Sequence, residues 1–205
     1  MKKLSNKFLG LCLVLLGNVT YVHAQDWANL NRYKEDNAKI DTTSSETRVV
    51  FMGNSITEGW VGNDPEFFKE HNYIGRGISG QTTPQMLLRF RPDVIDLKPA
   101  AVVILAGTND IAGNTGPTTL ETIFGNIQSM AELAHANDIK VLISSVLPAA
   151  KYPWKPEVES VEPILKLNAM LKAYAEENNF VYLDYFPATA NAENGMLSSL
   201  TEDGV

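Results

Sequence analysis

A chain of 205 residues, 44% hydrophobic and 20% charged, has the composition of one globular domain with a single core, which excludes a disordered or low-complexity polypeptide. Its 17 basic residues stand against 24 acidic ones, and residues 1–24 hold three of the lysines and no acid, so their removal takes the net charge from −7 to −10. Such a field repels nucleic acid and anionic lipid, and a lone cysteine, Cys12, excludes an internal disulfide framework or a multi-thiolate metal site.

In chain order, Lys2, Lys3 and Lys7 precede the apolar run Phe8 to Leu16, and Val22-His23-Ala24 before Gln25 offers a small-residue cleavage site. Residues 1–24 therefore read as a secretory signal peptide, which predicts a secreted or periplasmic protein. The run is too short to span a bilayer, so no stable membrane insertion is expected after cleavage. Leu11 stands where a lipid-attachment site would have a small residue before the cysteine.

Residues 25–47 form an N-terminal unit: Trp27, Leu30, Tyr33 and Ile40 have a loose helical spacing over 26–41, and Thr42-Thr43-Ser44-Ser45 is a polar connector. Strand one is predicted at Arg48 to Met52. A helix start follows, and Asp64-Pro65 caps a short helix through Glu70. Tyr73-Ile74 form a second strand leading into Gly75-Arg76-Gly77-Ile78-Ser79-Gly80. Pro84 opens a helix through Phe90 that Arg91-Pro92 ends or kinks. Ala101 to Leu105 is a continuous apolar strand of the kind covered on both faces. A helix over 119–137, a strand over 139–146, a loop of prolines and aromatics over 148–156, a helix over 158–179 and a strand over 180–184 complete the order. Strands alternating with helices predict an α/β fold: a three-layer α/β/α, flavodoxin-like sandwich with a five-stranded parallel sheet in the order 2-1-3-4-5, whose ligands bind beyond the carboxyl ends of the strands.

The unusual motifs fall on that edge. Gly53-Asn54-Ser55-Ile56-Thr57 follows strand one, Gly77-Ile78-Ser79-Gly80-Gln81-Thr82-Thr83 follows strand two, and Ala106-Gly107-Thr108-Asn109-Asp110 follows strand three. A serine at a strand-to-helix turn suits a nucleophile, because the helix start offers free N–H groups and the positive dipole end. Taken singly, the first block also fits a phosphate-cradling loop or an ordinary turn, Gly80 a turn glycine and Asn109 an Asx-turn residue.

With the three blocks in this order, the chain from Arg48 onward resembles the SGNH (GDSL-type) hydrolases. The resemblance implies Ser55 as nucleophile, and Ser55 N–H, Gly80 N–H and the Asn109 amide as the oxyanion hole, with no metal or cofactor. Asn54 replaces the aspartate common in the first block and keeps a hydrogen-bonding side chain. The family's last block, Asp-x-x-His, falls on Asp203-Gly204-Val205, so Asp203 is the expected orienting acid and the base histidine would stand directly after Val205. The covering helix that usually follows that block is also missing, which should expose apolar surface. His71 and His135 belong at the opposite edge of the sheet and are too few and scattered for a metal site.

These residues lead to an expected function: a secreted serine esterase that removes short acyl groups, most readily acetyl, from a carbohydrate or other small ester. Lysophospholipase or thioesterase action is the runner-up. A binding or remnant protein that lacks its base is the reading from another class, and a flavodoxin-like phosphate or flavin binder is a weaker third. Tyr152 and Trp154 are candidates to stack on a sugar or to anchor their own loop.

Overall fold

The computed structural model describes residues 26–44 and 47–205, so the predicted leader of residues 1–24 lies outside the described residues. Five strands, β1 (Val49–Gly53), β2 (Tyr73–Gly77), β3 (Ala101–Ile104), β4 (Lys140–Ser144) and β5 (Val181–Leu183), form one parallel sheet in the expected order β2-β1-β3-β4-β5. Side chains of period two divide its faces. Val50, Met52, Val102, Ile104, Val141 and Ile143 point to the main core. There they meet α4 (Thr83–Asp93), α6 (Leu120–His135) and α7 (Val161–Glu177) through Met86, Phe90, Ile127, Met130, Leu167 and Leu171. Phe51 points the other way, with Trp60, Phe68 and Tyr73 at ring-centroid distances of 5.5, 5.5 and 5.0 Å. Those aromatics seat α2 (Ser55–Asn63) and α3 (Pro65–Glu70) over β1 and β2. On the same face Val181 is 50% exposed, beside half-buried Leu142 and Leu183.

The single-turn helices α1 (Lys34–Asn37), α5 (Thr108–Ile111) and α8 (Phe186–Thr189) complete the described elements, with a 3-10 turn at Ile95–Leu97. The helix expected over 26–41 is reduced to α1 inside a run of turns. Asp26 takes the N–H groups of Leu30 and Asn31 on its carboxylate, and Asn29 adopts φ 54°, so local side-chain bonding replaces the helical ladder there. Strand β2 is longer than expected because Gly75 and Gly77 let it run against α2. Helix α4 passes through Pro92 to Asp93, its last turn held by a buried Arg89–Asp93 ion pair.

Both described histidines lie at the amino-terminal edge. His71 ends α3 just before β2, its Nδ1 2.8 Å from the Phe67 carbonyl, and His135 ends α6 before β4, packed on Phe180.

Candidate active site

Ser55 is the first residue of α2 and is exposed. Buried Asn54 caps the helix, its Oδ1 accepting from Ile56 N–H at 3.1 Å, which explains why an amide serves where the first block commonly has a carboxylate. As a first-turn group, Ser55 N–H has no carbonyl one turn earlier to take it. Close approach of β2 to this turn depends on Gly77: a Cβ there would lie 2.3 Å from Glu58 N and 2.6 Å from the Asn54 carbonyl oxygen.

Beyond β2, Gly80 is exposed at φ +76°, with open space where a Cβ would stand. The need for glycine here is conformational, a left-handed backbone, and not a crowded Cβ position. Its flanks are tied down. Glu58, one turn after Ser55, accepts the Ser79 N–H at 2.8 Å and the Ser79 hydroxyl at 2.6 Å, and the hydroxyl's bond holds its carboxyl below the usual range. Asn109 is buried on α5 and donates one Nδ2 hydrogen to the Gln81 carbonyl at 2.9 Å, leaving its second amide hydrogen for another acceptor. The three expected donors thus sit on segments bonded or packed to one another.

Next to Asn109, Asp110 accepts from Thr83 N–H (2.9 and 3.0 Å) and the Thr83 hydroxyl (2.6 Å), fastening α5 to the start of α4. Burial pushes its carboxyl up to about 6, against the lowering effect of the Thr83 bonds. A raised folded-state value means that the stability contribution is complete below the unfolded value near 3.8 and is lost as the pH rises through about 6. Asp110→Asn removes this titration. Its stability relative to the parent should therefore rise between pH 4 and pH 7, by about 3 kcal/mol at most, on top of a pH-independent offset. Urea unfolding across that range checks it; a difference that stays constant with pH would refute it.

Arg89 is not among the site residues expected from the sequence. Fully buried in α4, it donates to four acceptors: Gln81 Oε1 (2.5 Å), Asp93 Oδ2 (2.9 Å), the Gly53 carbonyl (3.0 Å) and the Arg76 carbonyl (2.9 Å). One guanidinium therefore joins the ends of β1 and β2 to the residue after Gly80. The signal for it was available: a cation between Met86 and Phe90 on the apolar stripe, with an acid four residues on.

After β4, the two aromatics part company. Tyr152 is fully buried, its hydroxyl accepting from Thr108 Oγ1 at 3.1 Å, so it has no face to offer a sugar; the stacking reading is corrected for Tyr152, which is a loop anchor. Trp154 is 45% exposed and lies against Tyr152 with ring centroids 5.3 Å apart. Its Nε1 donates to Asn114 Oδ1 at 3.1 Å, and Asn114 Nδ2 donates to the Gly80 carbonyl at 3.2 Å, so this indole is coupled to the Gly80 loop through one side chain. A cavity of about 530 Å³ lies between Ile111, Leu120, Lys155 and Val158, and neither Ser55 nor Gly80 lines it.

The structure does not bring Asp203 into bonding contact with this cluster. Exposed Asp203 accepts on Oδ1 from the Thr201 hydroxyl at 3.0 Å and from Val205 N–H at 3.2 Å, within a turn closed around Thr201, and none of its hydrogen bonds among the described residues uses Oδ2.

Comparison with known proteins adds to this geometry. The model of the GDSL-like lipase/acylhydrolase family matches residues 51–205. A Bacteroides fragilis protein assigned as an acylhydrolase is 52% identical, with a TM-score of 0.86 over 88% of each chain. A GDSL-like lipase from Bacteroides thetaiotaomicron is 52% identical, with a TM-score of 0.85 over 87% of this chain and 88% of that one. The esterase TesA of Pseudomonas aeruginosa is 31% identical over 99 residues, 46% of this chain and 48% of its own, so the match spans about half the length of that curated relative.

Proposed function

The chain belongs to the GDSL-like lipase/acylhydrolase family, and from that premise we propose that it is a carboxylic ester hydrolase working through an acyl-serine intermediate on Ser55. Ser55 Oγ attacks the ester carbonyl as its proton passes to the histidine expected directly after Val205, which Asp203 orients. The negative charge that develops on the carbonyl oxygen is met by Ser55 N–H, Gly80 N–H and the second hydrogen of the Asn109 amide. The alcohol leaves with the proton from the histidine, and water then releases the acid by the same steps. The observation that carries this reading is the set of unspent donors beside an exposed serine: a first-turn N–H, a glycine N–H in a pinned loop and half of a buried amide. Such donors act because they are fixed before charge develops, and each is worth about 10² to 10³ in rate.

We assign a short acyl group, acetyl, on a carbohydrate or similar small alcohol, in a secreted or periplasmic protein. The leader read from residues 1–24, the acidic balance and the open sheet edge at Ser55 support this, together with Trp154, whose exposed indole is coupled to the Gly80 loop as a platform for a sugar ring. No helix among the described residues is long and apolar enough to cross a membrane.

The test is a series of p-nitrophenyl esters, acetylated oligosaccharides and lysophospholipids, given to the protein expressed from its whole coding sequence. The acetyl ester should have a kcat/KM at least about 10-fold above the octanoyl ester. Trp154→Ala should raise KM for the acetylated sugar, by about 10-fold for one lost stacking contact, and leave p-nitrophenyl acetate nearly unchanged. Preference for long acyl chains or lysophospholipid would replace this substrate assignment with the lipase-like one.

A further inference from the structure

The geometry points to residues 26–41 as a strap that positions the oxyanion loop, an inference that rests on the ester-hydrolase reading for its catalytic meaning. The strap lies before residue 51, where the family match begins. Its contacts fall on the residues flanking Gly80. The Tyr33 hydroxyl donates to the Gly77 carbonyl, and Gln81 Nε2 donates to the Ala28 carbonyl at 2.7 Å. Arg32 pairs at 3.2 Å with Glu58, whose other oxygen holds both donors of Ser79. Residues 77, 79 and 81 are therefore each held, directly or through one carboxylate, by the strap.

The strap is itself anchored at both ends. Gln85 Nε2 donates to the Trp27 carbonyl at 2.7 Å. At the far end, Asn37 Oδ1 accepts from Arg76 Nε and a terminal nitrogen at 2.9 and 2.6 Å, while Asn37 Nδ2 donates to Asp93 at 2.8 Å. Between these points the Tyr33 ring is covered by the guanidinium of Arg76, 4.6 Å from its centroid, and by that of Arg32 at 4.9 Å.

This matters because Gly80 itself is held by the bond from Asn114 Nδ2 to its carbonyl and otherwise through the residues beside it. Apart from its own chain neighbours, no atom lies within 4 Å of the place a Cβ would occupy, and its left-handed φ sits between residues that are bonded on either side. An oxyanion donor stabilises the transition state only if it is aimed before the charge forms. Tyr33 and Arg32 are positioning residues: they hold the peptide whose N–H faces the substrate oxygen.

The variant Arg32→Ala/Tyr33→Phe keeps the Tyr33 ring under Arg76 and removes the two directed contacts. Hydrogen exchange of residues 77–82, with β3 and β4 as internal reference, reads the loop independently of activity. It should quicken at least about 10-fold in 77–82 alone, while kcat for p-nitrophenyl acetate falls about 10- to 100-fold with KM within about twofold, the pattern of a lost transition-state contact. Unchanged exchange in 77–82, or exchange that quickens equally in the reference strands, overturns the strap; so does a local increase with kcat unaltered in an active parent. A parent whose hydrolysis is absent or survives Ser55→Ala sinks the ester-hydrolase reading instead, and a local increase in exchange still establishes the strap's hold on the loop.

Discussion

A polypeptide ending at Val205 is expected to hydrolyse p-nitrophenyl acetate about 10⁴- to 10⁶-fold more slowly than one that carries histidine directly after Val205, and Ser55→Ala in the latter should fall to the same low rate. The size follows from how an activated serine works. A hydroxyl is a weak nucleophile until a base takes its proton, and in serine hydrolases loss of the base alone costs nearly as much as loss of the whole triad. Among the described residues nothing substitutes: His71 and His135 sit before β2 and β4, at the edge away from Ser55, and each packs against an aromatic ring. Asp203 spends only Oδ1 on the turn around Thr201, which leaves Oδ2 to accept from an imidazole three residues later. Initial rates with and without the added histidine, at equal folded concentration, decide the matter. Equal rates would remove the histidine from the mechanism, and hydrolysis surviving Ser55→Ala would remove Ser55.

The parts of this site that were legible in the sequence are those whose chemistry is local. Gly53 to Thr57 announces a strand-to-helix turn because Val49-Val50-Phe51-Met52 is a buried strand and Asn54 a cap, both properties of neighbouring residues. The sheet order followed from the alternation of elements, and it alone put Ser55, Gly80 and Asn109 on one edge. Contacts across the chain were not legible. Tyr33 looked like an apolar residue of a loose helix, whereas its hydroxyl reaches a carbonyl 44 residues away. Tyr152 and Trp154 look alike in a loop; burial, the hydrogen bond from Thr108 to Tyr152 and the Asn114 bridge to Gly80 separate a buried anchor from an exposed indole. The helix expected over 26–41 failed for a reason periodicity does not carry, since Asp26 outbids the backbone for the next N–H groups.

Arg89→Met should separate stability from catalysis when it is read beside Arg89→Met/Asp93→Leu. The single change leaves the Asp93 carboxylate buried without its guanidinium, and strips a donor from Gln81 Oε1 and from the Gly53 and Arg76 carbonyls. An unpaired buried charge of this kind costs about 3 to 5 kcal/mol in urea unfolding. Removing Asp93 as well deletes the stranded charge, and because burying an ion pair gains little over burying apolar groups of similar volume, much of that stability should return. Activity should not return with it. The ends of β1 and β2 and the Gln81 side chain would still lack their shared donor, so Ser55 and the Gly80 loop would lose their common tether, and kcat should stay at least about 10-fold down with KM little changed. Arg89→Lys offers an ammonium where a planar fork served four acceptors, and should fall between the parent and the single methionine variant on both scales. If the double variant recovers stability and kcat together, Arg89 is a folding residue only; if the methionine variant is as stable as the parent, the four bonds contribute nothing net to the fold.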